Sequence, residues 1–198
     1  MKKNDGILST NTVWTLDGFN KNKTRVKIGD SVKLPTFTVP ETEISGKKTI
    51  LFKKLKISDK AFVVGKDSNG DFILAFDHCL FQSVIDYNGE KDFEKTQLSQ
   101  YLTGAFLQAM QAAGISAKEC SLFSYDEMFG EKRLDYFRKA RNRIASSFDE
   151  DLNHWYWLSM PYKASASDFC FVSGNGCADC GIAGYAYRYV RPRFVLTA

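Results

Sequence analysis

The sequence His154-Trp155-Tyr156-Trp157-Leu158-Ser159 is an aromatic run with the composition of a β-strand. A second strand-like stretch, Val190-Arg191-Pro192-Arg193-Phe194-Val195-Leu196, follows near the end of the sequence. Between them, residues 160–189 are rich in Gly, Ala, Ser, Tyr, Cys and Asp, and they show neither a helical nor a strand period. We therefore predict two framework strands, with Trp155 and Trp157 as buried anchors, that hold a long irregular surface segment between them.

The composition of residues 160–189 is typical of a binding surface built from loops. Tyrosine offers a large contact area at a small cost in side-chain entropy, while glycine and serine let the backbone adapt to a ligand. The expected anchors are Tyr162, Tyr185, Tyr187 and Tyr189. The alternative is a glycine-rich structural loop that packs on its own core.

Several motifs near the end of the chain resemble one protein family. They are Trp155-Tyr156-Trp157-Leu158-Ser159, Ser165-Ala166-Ser167-Asp168-Phe169, Asn175-Gly176 and Val190-Arg191-Pro192-Arg193-Phe194. With them, residues 154–198 resemble C-type-lectin-like domains of the formylglycine-generating-enzyme type. More narrowly, they are similar to the variable proteins of prokaryotic and phage diversity-generating retroelements. The resemblance implies an α+β fold of the C-type-lectin-like kind, with two helices, a twisted and mostly antiparallel sheet, and a long irregular C-terminal segment.

The same resemblance implies a function. In that family, adenine-directed mutagenesis rewrites chosen codons near the C-terminus, and the altered side chains form the ligand-binding face. The chain would then be a display protein, not an enzyme, that recognises a protein or cell-surface ligand. The residues that the resemblance implies for ligand binding are Tyr162, Asp168, Cys170, Ser173, Gly174, Cys177, Asp179, Cys180, Gly181, Ile182, Gly184, Tyr185, Tyr187, Arg188 and Tyr189.

The residue types in this stretch agree with such mutagenesis. An asparagine codon altered at its two adenines can encode Tyr, Ser, Gly, Asp, Cys, Ile or Arg, but not Lys, Glu, Gln, Met or Trp. None of these five excluded types occurs in residues 168–189, although Lys and Glu are common elsewhere in the chain.

Two alternatives remain open. The first is a copper-dependent oxidase of the formylglycine-generating type, in which Cys177 and Cys180 would bind copper, because thiolates suit Cu(I). Here the two cysteines are closer together than in that family and further ahead of Arg188. A conventional sugar-binding lectin is the other alternative, although its calcium motifs are missing from the sequence. We therefore predict no catalytic residue, no metal and no cofactor.

The composition describes an ordinary globular protein. The chain has 198 residues, of which 44% are hydrophobic and 25% charged, and we predict one domain over residues 1–198. Its five cysteines are odd in number and lack a framework spacing, which favours synthesis in a reducing compartment. No apolar run could span a bilayer, and no apolar stretch follows the basic N-terminus. We therefore expect a soluble protein without a signal peptide, made in the cytoplasm and able to associate with a virion. We expect it neither to bind nucleic acid nor to insert into a membrane.

The rest of the chain predicts a mixed scaffold. Residues 1–24 predict an irregular or loosely strand-like lead-in, and Gly29-Asp30 predicts the turn of a hairpin. The strand candidates are 49–52, 61–64 and 72–76, with a turn at 67–71 before the last of them. His78 and Cys79 are expected to have a packing role, because the sequence places no further Cys or His near them at ligand spacing.

Two helices are predicted between these strands and the aromatic run. In the first, apolar residues recur at three and four positions from Leu98 to Ala113, and Gly114 follows as the expected C-terminal cap. The second begins with the capping box of Ser124 and Glu127, and its apolar stripe continues to Ile144 with a break near Gly130. Its basic residues are expected to face solvent.

Overall fold

The computed structural model describes residues 11–148, 152–165 and 167–198, and it shows an α+β protein made mostly of sheet with few helices. The strands are β1 (Val13–Thr15), β2 (Ser31–Lys33), β3 (Phe37–Val39), β4 (Thr42–Ile44), β5 (Ile50–Phe52), β6 (Leu55–Ile57), β7 (Lys60–Lys66), β8 (Phe72–Phe76), β9 (Phe81–Gln82), β10 (Ala117–Ser121), β11 (Tyr156–Pro161), β12 (Asp168–Val172), β13 (Ala178–Ile182), β14 (Tyr189–Val190) and β15 (Arg193–Leu196).

The helices are short. They are α1 (Leu16–Lys21), α2 (Gln97–Tyr101), a π-helical turn (Leu102–Phe106), α3 (Leu107–Ala112), α4 (Tyr125–Met128) and the 3₁₀ turns Lys23–Arg25, Phe93–Lys95, Asp135–Arg138 and Ala140–Asn142. Among the described residues, no helix has both the length and the apolar character needed to cross a membrane.

Two sheets form the framework. The larger has the strand order β1-β2-β7-β8-β15-β10, and only its β1–β2 pair is parallel. The smaller has the order β13-β12-β11-β14-β9, with β11 and β14 parallel and the other pairs antiparallel. The pairs β3–β6 and β4–β5 stand apart as two-stranded ribbons. The expectation of a mostly antiparallel arrangement is therefore confirmed.

Arg191 joins the two sheets at the point where the predicted C-terminal strand is interrupted. The structure places Arg191 and Pro192 between β14 and β15, where both are buried. The Arg191 Nε donates a hydrogen bond to the Phe76 carbonyl on β8 at 2.8 Å, and its Nη1 lies 3.4 Å from the Tyr156 hydroxyl on β11. This buried guanidinium thus ties β8 of the larger sheet to β11 of the smaller one.

The prediction that residues 160–189 lack regular structure is wrong for β12 and β13, and also at the two ends, where β11 extends to Pro161 and β14 begins at Tyr189. β12 and β13 form an antiparallel hairpin within them, and Phe169 pairs with Gly181. Phe169, Cys170, Phe171 and Val172 of β12 are all buried, so both faces of the strand are covered. A strand covered on both faces is a continuous apolar run and therefore shows no period of two.

The first predicted helix is confirmed with one modification. α2, the π turn and α3 follow one another, and their buried side chains are Leu98, Tyr101, Leu102, Phe106 and Met110 among others. The Thr96 side chain caps the N-terminus by accepting a hydrogen bond from the Ser99 amide. Gly114 follows the C-terminus with a φ of 84°, as expected for a C-terminal cap. The π turn contains Gly104, whose backbone departs from helical geometry.

The second predicted helix ends after one turn. The capping box of Ser124 and Glu127 is present, but α4 stops at Met128 and the chain continues in 3₁₀ turns. Phe137 is nevertheless buried, and Arg143 donates hydrogen bonds to the Phe137 and Gly176 carbonyls. The apolar stripe therefore reaches the core through tertiary contacts of irregular backbone, so the helical spacing beyond Gly130 was misleading.

The N-terminal lead-in contains a strand, as one of its two predicted forms allowed, and also a helix that was not predicted. β1 and α1 lie within residues 11–24, while residues 1–10 lie outside the described part of the chain. Gly29 forms the expected turn with a φ of 94°, but residues 26–28 precede it without forming a strand. β2 pairs instead with β1 and β7. The strand candidates 49–52, 61–64 and 72–76 are confirmed as β5, β7 and β8.

Two packed clusters form the core. The first joins α2 and α3 to the larger sheet and to Trp157, Phe169 and Phe171. The second contains Tyr156, Leu158, Cys170 and Val172, together with Phe137 from the 3₁₀ turns. The clusters lie on opposite faces of the β11–β12 pair, because neighbouring residues on a strand point to opposite faces.

Gly176, in the turn between β12 and β13, is expected to be intolerant of substitution. Its φ of 80° is left-handed, and a Cβ there would lie 2.7 Å from the Ala140 carbonyl oxygen. A side chain in the left-handed region costs about 1–2 kcal/mol, and the contact with backbone adds to that cost. Gly176→Ala should therefore lower the free energy of unfolding by more than about 2 kcal/mol in urea titrations.

Gly70 is the matched control for this prediction. Its φ is 84°, but no neighbouring atom would lie within 4 Å of a Cβ at this position. Gly70→Ala should therefore show the backbone cost alone, about 1–2 kcal/mol. If both variants lower the free energy of unfolding equally, a Cβ at position 176 makes no unfavourable contact with the Ala140 carbonyl.

Candidate functional site

A cluster of exposed aromatic side chains marks the strongest candidate site. Tyr187 is 81% exposed, Trp155 51% and Tyr185 49%. They share a cavity of about 640 Å³, called here the aromatic groove, which is lined by Gln82, Asn153, His154, Trp155, Tyr185, Tyr187, Arg188 and Tyr189. Monomeric proteins rarely group large apolar side chains at the surface unless they bind something there.

Trp155 is the main correction to the sequence-based interpretation, which placed it in the buried framework. It lies one residue before β11, outside the ladder that buries Tyr156 and Trp157. Its indole stacks on the Phe171 ring at 5.4 Å with an interplanar angle of 12°. One face of the indole therefore covers the core and the other is open to solvent.

Arg188 forms the floor of the aromatic groove. Its guanidinium carbon lies 4.0 Å from the ring centroid of Phe171 and 4.7 Å from that of Trp157, with Trp155 and Tyr185 at 5.8 and 5.7 Å. Stacking of arginine on aromatic faces is favourable and holds the planar group in one orientation. Arg188, one of the predicted ligand-binding residues, is therefore half-buried.

Two further features of Arg188 bear on its role. Its Nε is buried and has no hydrogen-bond partner among the described residues. Burial lowers the pKa of Arg188, while the carboxylate of Asp179 acts in the opposite direction. Gly181 leaves the space that the side chain fills, since a Cβ there would lie 2.5 Å from Nη2 of Arg188. The site thus holds a partly desolvated cation, whose buried Nε makes no hydrogen bond among the described residues, beside exposed aromatic rings.

His154 and Tyr189 support the other side of the groove. Their rings stack at 4.0 Å, and Nε2 of His154 lies 3.1 Å from the Ser147 hydroxyl. The Tyr189 amide donates a hydrogen bond to the Trp155 carbonyl at 2.9 Å. These contacts fix the backbone on which Trp155 and Arg188 are presented.

A second cavity of about 500 Å³ also borders β13. This thiol groove is lined by Tyr125, Asp126, Met160, Pro161, Tyr162, Lys163, Cys170, Ala178, Asp179 and Cys180. The Asp179 carboxylate accepts a hydrogen bond from the Cys180 amide at 2.8 Å. Since β13 is the last strand of its sheet, this bond occupies a main-chain donor near the sheet edge.

The structure separates the predicted ligand-binding residues by exposure. The exposed ones are Tyr162, Cys177, Asp179, Ile182, Tyr185 and Tyr187. The half-buried ones are Asp168, Ser173, Gly174, Cys180, Gly181, Gly184, Arg188 and Tyr189. Cys170 differs from both groups because it is only 8% exposed and belongs to the second core cluster. It lines the thiol groove from within the protein and cannot serve as a freely exposed contact.

Sequence reasoning missed four residues of the aromatic groove. Gln82 comes from β9, far away in the sequence, and Asn153, His154 and Trp155 precede β11. The exposure of Trp155 could have been predicted only from its position directly before the buried residues of β11. No local signal identifies Gln82, since the β9–β14 pairing brings it there.

One further group of side chains has the spacing of metal ligands. Asp59, Asp77 and His78 place one donor atom each within 4.8 Å of one another, and no other described group of His, Cys, Asp and Glu does so. The Asp59 carboxylate accepts hydrogen bonds from the amides of Lys60 and His78 and lies 3.0 Å from Nδ1 of His78. The ammonium of Lys60 lies 3.3 Å from Asp77. Internal partners therefore already occupy these groups, and Cys79 beside them is buried.

Comparison with known proteins adds one match. Residues 114–198 match a family model described as a domain of unknown function, DUF6273. This region runs from the end of the first helix through β15 and contains the aromatic run and the β12–β13 hairpin. Searches of curated proteins and of solved structures found no match.

Proposed function

We propose that this chain is a recognition protein whose ligand-binding face includes the aromatic groove. We further propose a C-type-lectin-like scaffold and diversification of that face by a retroelement, with a protein or cell-surface molecule as the ligand. The motifs in residues 154–198 support the scaffold and the diversification. The exposed aromatic cluster supports recognition.

The observation that carries this proposal is the joint exposure of Trp155, Tyr185 and Tyr187 around the stacked guanidinium of Arg188. Trp, Tyr and Arg dominate the energetic hot spots of protein interfaces. Rigid aromatic rings lose little entropy on binding, and Arg188 is held in place before a ligand arrives. The groove therefore offers apolar contact area together with a positively charged group that is already held in place.

The distribution of exposure supports diversification. Tyr162, Cys177, Asp179, Ile182 and Tyr187 project from a hairpin and loops whose inner side chains belong to the core. A surface that changes its residues must leave the packing of its scaffold unchanged. Substitutions of exposed residues away from special backbone geometry usually change stability by less than about 0.5 kcal/mol, so this arrangement would tolerate repeated sequence change.

A display library tests the proposal directly. The first library randomises Tyr162, Cys177, Asp179, Ile182, Tyr185 and Tyr187, and the second randomises Trp157, Phe169, Val172, Val190 and Phe194. We expect most clones of the first library to resist proteolysis and to yield binders against a panel of purified proteins, because these side chains contribute little to the core. The second library should yield little folded protein, because truncation of a buried aromatic residue costs about 3–5 kcal/mol.

The outcomes separate the alternatives. If clones of the first library unfold as often as those of the second, residues 160–189 are a packed structural loop and the proposal fails. Binding of the unaltered chain to glycans alone on a combined glycan and protein array would favour a conventional lectin. Diversification has its own test, namely a DNA repeat near the coding sequence that differs from it only at adenines, beside a reverse transcriptase gene.

A further inference from the structure

The β12–β13 hairpin places two cysteines directly opposite each other. The register pairs Cys170 with Cys180, and it holds without interruption from Asp168–Ile182 to Val172–Ala178. All five cysteines of the described chain are free thiols in the structure. The pairing is not visible as a sequence motif, because the Cys177–Cys180 spacing suggests a different partner.

The hydrogen bonds flanking the pair identify its type. The Ser173 amide donates to the Cys177 carbonyl and the Ala183 amide donates to the Ser167 carbonyl. Hydrogen-bonded and non-hydrogen-bonded pairs alternate along an antiparallel ladder, so counting inward from both ends makes Cys170–Cys180 a non-hydrogen-bonded pair. The Cα atoms of such a pair are about 4.5 Å apart and their side chains approach most closely. Disulfides have Cα separations of about 4.4–6.8 Å, so the strands need not separate or shift to form one.

Access distinguishes this pair from the other cysteines. Cys170 and Cys180 both line the thiol groove, and Cys180 is half-buried. Cys79 and Cys120 are buried and line neither of the two grooves, and burial raises the pKa of both thiols. Burial also raises the pKa of Cys170, but this thiol borders the thiol groove beside Cys180. Cys177 is exposed but lies opposite Ser173 at the turn, away from the partner position of Cys170.

We propose that Cys170 and Cys180 form a dithiol site that small disulfides such as oxidised glutathione convert reversibly into a cross-strand disulfide. The thiolate of Cys180, the more exposed of the two, attacks one sulfur of oxidised glutathione, forms a mixed disulfide and releases one reduced glutathione. The thiolate of Cys170 then attacks the Sγ of Cys180, forms the Cys170–Cys180 bond and releases the second glutathione. Two protein thiols are oxidised, one glutathione disulfide is reduced to two thiols, and the two protein protons pass to the leaving thiolates.

The disulfide would act on the edge of the candidate recognition surface. β13 is hydrogen-bonded to β12 on one side only, and it carries the exposed residues Asp179 and Ile182. A covalent link to the buried Cys170 would restrict the fraying of this edge strand. The effect on recognition rests on the proposed function, whereas the oxidation itself does not.

Thiol mapping of the full chain tests the dithiol site. The protein is equilibrated in buffers of increasing ratio of oxidised to reduced glutathione, alkylated, digested and mapped by mass spectrometry. We expect loss of two of the five alkylatable thiols, a linked pair of peptides containing Cys170 and Cys180, and full reversal by dithiothreitol. The oxidised protein should also show slower hydrogen exchange in β13 than the reduced protein.

Variants identify the partners. Cys177→Ser is the matched control on the same hairpin and should leave the linkage unchanged. Cys170→Ser should prevent it and leave a glutathione adduct on Cys180. A linked Cys177–Cys180 peptide, or five alkylatable thiols in every buffer, would overturn the proposal in the unaltered chain, so the result does not depend on the folding of a variant. Ligand binding by protein that never forms the linkage would leave the proposed function standing.

Discussion

Trp157→Ala should lower the free energy of unfolding by about 3–5 kcal/mol, the range measured for buried aromatic side chains that are truncated to alanine. Trp157 is fully buried, its Nε1 donates a hydrogen bond to the Ser83 carbonyl at 2.8 Å, and its ring meets Phe171 edge to face. The variant loses the packing, leaves the Ser83 carbonyl without this donor and removes one of the rings under Arg188. Urea unfolding followed by circular dichroism measures the loss.

Trp155→Ala is the matched control, since it removes the same side chain two residues away. Trp155 is half exposed and touches the core through one face only, so we expect a loss of less than about 1.5 kcal/mol. Binders obtained from the display library should nevertheless lose affinity in this background. Comparable destabilisation by the two variants would show that Trp155 is framework, as the sequence suggested, and would remove it from the candidate groove.

Phe106→Ala should produce a loss of similar size, about 3–5 kcal/mol, elsewhere in the core cluster that contains Trp157. Phe106 lies at the end of the π turn, is fully buried, and packs against Phe37 at 5.7 Å and Phe76 at 6.1 Å between ring centroids. Its ring connects the first helix to β3 and β8, so the cavity left by alanine would open between three elements. The same urea titration reports the change.

Gln108→Ala provides the control for the helix itself. Gln108 is exposed on α3, and alanine is a better helix former than glutamine, so the free energy of unfolding should change by less than about 0.5 kcal/mol. If Phe106→Ala also lowers the free energy of unfolding by less than about 0.5 kcal/mol, the apolar stripe of the first helix does not belong to the core. The stripe would then be a partner surface.

The sequence predicted those elements whose pattern reflects burial on one face. Leu98, Leu102 and Phe106 recur at helical spacing because one side of the helix meets the larger sheet. β12 escaped prediction because both of its faces are covered, and the 3₁₀ turns after α4 escaped because Arg143 holds them through backbone carbonyls. Contacts of this second kind depend on residues far apart in the chain, which a local pattern cannot reveal.

The candidate site was predictable in its residue types but not in its arrangement. Of the four tyrosines expected as anchors, Tyr162, Tyr185 and Tyr187 are exposed, whereas Tyr189 is half-buried and stacks on His154. The division into two grooves could not be foreseen, because it depends on the β12–β13 register and on the stacking of Arg188 over Phe171. The opposed cysteines 170 and 180 likewise become neighbours only when that register is known.

The position of β15 links the reading frame to protein quality control. β15 lies between β8 and β10, yet it is translated after residues 160–189, so the ribosome must read through that segment before the larger sheet can close. A stop codon or frameshift in the segment would delete β15 and leave the facing edges of β8 and β10 unpaired. Chains with unpaired edges aggregate or are degraded. Truncated products would therefore be eliminated without any dedicated proofreading, whereas in-frame changes at the exposed positions of this segment would still allow the larger sheet to close.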